Sequence, residues 1–193
     1  MANKMVDYSF LNITDAASEL RLKFDIAFPL PEGKAAPAGG EGAQKKERKA
    51  PGCCIRLANN AIEDLTPLYQ GVSTVFIHPA LIKWIDLSFN NIKLIGEALA
   101  LFTELNVLYL HANGIENLKD LKPLQSFNLR SLTLHGNPVE EKKNYRLFVV
   151  NLIPSLNQLD FSPITRQDRE TASAHSRALK GRRSQQDKSG PGR

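Results

Sequence analysis

At 193 residues, 42% of them hydrophobic and 23% charged, the chain has the makeup of one folded domain with short tails, which excludes a wholly disordered protein. No apolar run approaches the roughly 20 residues needed to span a bilayer. The two cysteines are neighbours, Cys53 and Cys54, which excludes a disulfide framework and suits a reducing compartment. The net charge of +5 is uneven: residues 1–50 carry +1, residues 51–164 carry −1 and residues 165–193 carry +5.

In chain order, the opening MANKMVDYSF lacks the apolar stretch of a secretory signal, so an intracellular, cytoplasmic protein is expected and the N-I-T sequon at Asn12 is a coincidence. Residues 1–28 hold Tyr8, Phe10, Leu11, Ile13, Leu20, Leu22, Phe24 and Phe28, too apolar for a tail. They read as a segment that docks on the rest of the chain or folds against a partner. Residues 29–52, rich in Pro, Gly, Ala and Lys, have no apolar period and read as a disordered linker.

From residue 53 a phrase recurs. LNVLYLHANGIENL sets Leu108, Leu110, Asn113, Ile115 and Leu118 at offsets that fit neither a helix nor a plain alternating strand. IKWIDLSFNNIKLI repeats them with Ile85, Leu87, Asn90, Ile92 and Ile95, and LRSLTLHGNPV with Leu132, Leu134, Asn137 and Val139. A weaker copy supplies Ile55, Leu57, Asn60, Ile62 and Leu65, and a last one keeps Leu156, Leu159 and Phe161 but has Ile164 where Asn is expected. This is the leucine-rich repeat at its usual period. It predicts an α/β fold: a right-handed leucine-rich repeat solenoid, or horseshoe, with a parallel concave sheet and a helical C-terminal cap, over residues 53–164.

Physical chemistry explains the polar position. Each repeat is one short strand followed by a sharp turn whose backbone groups face the core and need partners. Asn60, Asn90, Asn113 and Asn137 can supply both donors and an acceptor, so they are assigned structural roles. The first repeat is long, and Pro67 followed by Leu68, Val72, Val75 and Phe76 predicts a helix on the outer side that ends before Pro79. After Asn137, Tyr145, Phe148, Val149, Leu152 and Ile153 share one face of a predicted cap helix over 140–153, stopped before Pro154. Residues 165–193 form a basic C-terminal helix and tail, opened by a capping box from Thr165 to Asp168.

The phrases KWIDLSFNNI, LNVLYLHANGI, LRSLTLHGNPVEEKKNYRLFVV and DFSPITRQDR, with DYSF near the start, resemble the leucine-rich repeat-containing protein 51 family. The resemblance covers roughly residues 50–180 and Asp7 to Phe10, and the linker is peculiar to this chain. Asn137-Pro138, Tyr145-Arg146 and Pro154-Ser155-Leu156 are similar to the caps of axonemal dynein light chain 1 and the spliceosomal U2 A-prime protein. The resemblance implies a non-enzymatic protein of ciliated organisms and an axonemal component.

In a horseshoe the solvent-facing strand positions carry function. They fall on Arg56, Trp84, Asp86, Tyr109, His111, Thr133 and His135, the predicted partner-binding residues, with Cys54, Ala58, Ser88, Val107, Ser131, Gln158, Asp160 and Ser162 beside them. Trp84 and Tyr109 are the rigid, amphipathic kind of side chain that anchors interfaces. His111 and His135, on neighbouring strands, should lie about 5 Å apart. A metal would need more ligands than Asp86 beside them, so no metal is expected.

No phosphate loop, serine elbow or H-E-x-x-H motif is present, so the reading is no enzyme and no cofactor. Protein partners are expected, axonemal by the resemblance, with an acidic surface for the tail. The alternatives are an RNA-associated adaptor, resting on Arg177, Lys180, Arg182 and Arg183 without any aromatic to stack on bases, and a motor or phosphatase regulatory subunit.

Overall fold

A computed structural model describes residues 5–23, 49–50 and 52–186. Most of the expected linker, 29–52, therefore lies outside the described residues, as does the tail beyond Gln186.

Seven strands form one sheet in chain order: β1 Met5–Asp7, β2 Cys54–Arg56, β3 Trp84–Asp86, β4 Val107–Tyr109, β5 Ser131–Thr133, β6 Gln158–Leu159 and β7 Ser162–Pro163. All neighbours are parallel except β6 and β7. The middle residues Val6, Ile55, Ile85, Leu108, Leu132 and Leu159 pair in register and are buried, because alternate strand residues face opposite sides and only the middle one points inward. A second buried column, Tyr8, Leu57, Leu87, Leu110 and Leu134, lies two residues further on.

The repeat pattern predicts its first strand at Cys54, and β1 adds a parallel strand ahead of it. Val6, Tyr8, Leu11 and Ile13 repeat the offsets of Ile55, Leu57, Asn60 and Ile62, with Leu11 at the Asn position. Behind β1, helix α1 Ala16–Leu22 packs on α2 Leu68–Val75, the outer helix of the first repeat. They meet at Gly71, where a Cβ would lie 2.0 Å from the carbonyl oxygen of Ala16.

The asparagines knit the turns together. Asn113 Nδ2 donates to the carbonyls of Leu87 and Leu110, and its Oδ1 accepts from the Ile92 amide at 2.9 Å. Asn90 and Asn137 repeat the pattern, and Asn60 Oδ1 accepts from Leu11 and Ile13. The residue before each of these asparagines is forced into the left-handed region: Asn59 (φ 56°), Phe89 (54°), Ala112 (55°) and Gly136 (71°), with Phe10 (60°) in the equivalent turn. Gly136 suits this place on two counts, since a Cβ there would also press to 3.3 Å from the Ala112 nitrogen.

At the far end the repeat is closed off. Asp160 and Phe161 both have positive φ, 51° and 59°, which makes a two-residue hairpin and turns β7 back antiparallel. In the earlier repeats the amides of Leu57, Leu87 and Leu110 donate to the carbonyl of the next strand's Asp86, Tyr109 and Thr133. Here Asp160 Oδ1 stands in for that carbonyl, taking the amides of Leu134 at 2.6 Å and His135 at 2.9 Å, while Tyr145 Oη donates to Oδ2. Two expectations are thereby corrected. Phe161 is not a core residue but half exposed, and Asp160 caps backbone instead of facing solvent.

The cap helix α3 spans Tyr145–Leu152, shorter than expected because Pro138–Glu141 takes a 3-10 turn first. Helix α4, Arg166–Gln186, opens with the predicted box: Asp168 N donates to Thr165 Oγ1, and Thr165 N to Asp168 Oδ2. The Arg146 guanidinium, followed by the Thr165 amide, holds the Asp168 carboxyl down at about 2, so the ion pair at 3.1 Å that ties α4 to α3 is formed at neutral pH.

Candidate functional site

Register brings the predicted residues together. Arg56, Asp86, Tyr109 and Thr133 are direct partners across β2 to β5, and Trp84 stands one row earlier in the same column as Cys54, Val107 and Ser131. His111 and His135 follow two residues after Tyr109 and Thr133.

A chain of aromatic contacts joins them. The Arg56 guanidinium lies 5.6 Å from the Trp84 ring, and Trp84 meets Tyr109 edge to face at 5.7 Å. His111 and His135 stack at 4.7 Å with planes 8° apart. Phe161, thrown onto this face by its hairpin, contacts Tyr109, His111 and His135 at 5.5, 5.9 and 5.5 Å, and Phe89 meets His111 at 5.3 Å. Edge-to-face pairs of this kind contribute about 0.5–1.5 kcal/mol beyond their burial, so the patch is preorganised.

Two predicted contact residues are displaced from that role. Thr133 is fully buried, its Oγ1 2.9 Å from His111 Nδ1. Asp86 is nearly buried, with Oδ1 accepting from the amide and hydroxyl of Ser88 and Oδ2 3.4 Å from Arg56 Nε. Both position other groups. Arg56, Trp84, Tyr109, His111 and His135 remain partly open to solvent. Sequence reasoning missed Phe89, Phe161 and Phe10. The recurrence of a residue before each ladder position was the available signal, but its left-handed backbone was not legible.

Two titratable groups of this face are held toward their neutral forms. Burial, reinforced by the stacked His135, holds the His111 imidazole below its ordinary pKa, against the pull of Asp86 and Asp160. Burial, then Cys53 with its Sγ 3.8 Å away, pushes the Cys54 thiol up to about 11, far from a reactive thiolate. Among the described residues no three of His, Cys, Asp and Glu gather as a metal site would require.

The family described as Leucine-rich repeat matches residues 55–188. The chain is 49% identical over 117 residues to Leucine-rich repeat-containing protein 51 of Mus musculus, covering 60% of this chain and 61% of that protein. It is 35% identical over 107 residues to the Probable U2 small nuclear ribonucleoprotein A′ of Drosophila melanogaster, covering 54% of this chain and 40% of that one. Among solved structures it is similar to the Drosophila melanogaster SNF/U2A′ complex, with 30% identity, a TM-score of 0.55, and coverage of 69% of this chain and 73% of that one.

Proposed function

The chain belongs to the leucine-rich repeat family, and from that premise we propose that it is a non-enzymatic scaffold that docks a protein partner on its concave face. The observation that carries this is the connected surface from Trp84 through Tyr109 and Phe161 to the His111–His135 stack, held rigid by strand register and open to solvent. Rigid aromatics bury large areas at low entropic cost and are enriched among binding hot spots. The similar solved structure is itself a complex, of SNF with U2A′, in keeping with an interaction role for the fold.

We place the protein in the cilium or flagellum, as an axonemal adaptor. The support is its likeness to leucine-rich repeat-containing protein 51, although the chain spans about 61% of that relative's length. The basic tail is assigned an acidic surface as its contact, acting through long-range attraction. The second reading, an adaptor on ribonucleoprotein, draws on the likeness to U2A′.

A pull-down from ciliary extract compares the wild type, Trp84→Ala with Tyr109→Ala, and a deletion of residues 180–193. The double variant should lose its partners, by about 2–4 kcal/mol per hot-spot side chain. The tail deletion should slow association and lessen salt sensitivity more than it raises the dissociation rate. Full retention by the double variant, with loss on tail deletion alone, would move the docking site to the tail. Localisation of the tagged protein to nuclear speckles and not to cilia would favour the ribonucleoprotein reading.

A further inference from the structure

At the β1 end of the same face a cavity of about 390 Å³ opens between Phe10 and Phe89, over Asp7, Arg56 and Asp86. It exists because Ala58 and Ser88 stand in the column that holds His111 and His135 two repeats later. Phe10 is 76% exposed and Phe89 52%. They occupy equivalent turns with Asn59 between them, so their backbones are separated by two strand spacings, roughly 10 Å. Both rings line the cavity, and the Phe89 ring also meets His111 edge to face at 5.3 Å.

The floor is negative on balance, two carboxylates against one guanidinium. Arg56 reaches Asp7 Oδ2 only at 3.5 Å and Asp86 Oδ2 at 3.4 Å. These are long contacts, and the Asp7 side chain is 43% exposed, so it keeps accepting capacity toward the cavity. Exposed aromatic rings over a carboxylate recognise a cation.

We propose that this cavity receives an arginine side chain of the docked partner protein, its guanidinium against the aromatic lining of Phe10 and Phe89 and its N–H groups donating to Asp7. Arginine fits better than lysine because a planar fork satisfies rings and carboxylate together, whereas an ammonium is compact and strongly hydrated. The assignment deepens the reading of the concave face as a docking surface by naming the chemistry at one end of it.

The test titrates the full chain, carrying ¹⁹F-labelled phenylalanine, with acetyl-Gly-Arg-Gly-amide and with its lysine and citrulline counterparts. A saturable ring shift is expected with the arginine peptide, at least fivefold weaker with lysine and absent with citrulline, which keeps the shape without the charge. Asp7→Asn, which preserves the side chain's bond to Ser9, and Phe10→Ala should each weaken the arginine response at least fivefold without lowering the Tm. An equal response to citrulline, or no change in the two variants, overturns the site. Dissociation of a self-associated chain by the arginine peptide, seen in sedimentation, overturns the partner as the source and assigns the arginine to a second copy. Loss of partners in Trp84→Ala with Tyr109→Ala, together with no peptide response, removes this site and leaves the docking face. A peptide response with partners fully retained does the reverse.

Discussion

Asn113 is buried, so truncating it strands the Ile92 amide in the core and takes one of two asparagine donors from the carbonyls of Leu87 and Leu110, which Asn90 and Asn137 still serve. Asn113→Ala should therefore cost about 1–3 kcal/mol, read as a lower denaturant midpoint. The same change at half-buried Asn60 should cost less. This residue type was legible in the sequence because a hydrogen-bonding requirement repeated at a fixed spacing admits few side chains. Phe89 was not, because its φ of 54° follows from the turn and contradicts the residue's own preference. Asn tolerates that region, so Phe89→Asn should raise stability by about 1 kcal/mol, the scale of a left-handed penalty, while removing a wall of the arginine site. A lower Tm in that variant would show that contact with His111 outweighs the backbone strain. His111 itself predicts a pH dependence. Its folded pKa lies below the ordinary value of 6.5, so on acidification the unfolded chain takes up the proton first. That contribution to stability is complete above pH 6.5 and is lost as pH falls from there toward the folded pKa. Melts at pH 7.5 and 5.5 should differ, and His111→Gln should shrink the difference.

Among the elements, α2 is legible from Pro67 and the apolar spacing after it, and α4 from its capping box, because those signals are local. The docking of β1 and α1 is not legible in the sequence, since nothing local distinguishes an apolar segment bound to its own domain from one awaiting a partner. The discriminating residue is Gly71, in a different part of the sequence. A helix-interior glycine is ordinarily a weakness that alanine relieves by roughly 0.5–1 kcal/mol. Here the sign should invert, because the Cβ would sit 2.0 Å from the Ala16 carbonyl oxygen and one of the two helices must move. Gly71→Ala should destabilise by about 1–3 kcal/mol, typical of overpacking, and speed proteolysis at Lys23. A stabilised variant would place α1 away from α2. The hairpin at Asp160 was missed for a related reason: its aspartate occupies an ordinary repeat position, and only the missing next strand gives its carboxylate amides to cap.

For the molecule as a whole, a repeat array is stable only through its neighbour interfaces, so each end needs a unit that covers the last exposed core face. The two ends solve this differently. At the C-terminal end Asp160, α3 and α4 take up the free amides and apolar surface. At the other end β1 and α1 do so, with Val6, Tyr8, Ile13 and Leu20 fully buried against the first repeat. Burying an aliphatic side chain of this size stabilises by about 1.5–3 kcal/mol. Domains of this class have roughly 5–15 kcal/mol in total, so three aliphatics and a tyrosine are a large share of the whole. Removing residues 1–23 would also leave Asn60 Oδ1 and the edge of β2 without their partners. That deletion should abolish the cooperative thermal transition near physiological temperature. Removing residues 180–193 should leave it unchanged, because α4 is fastened through Arg169, Ala172 and the Arg146–Asp168 pair, all earlier in the helix. Circular dichroism melts of the two deletions decide the matter: a Tm within about 2 °C of the full chain after loss of residues 1–23 would mean that the array is capped at β2 and that the N-terminal segment is free to serve a partner instead.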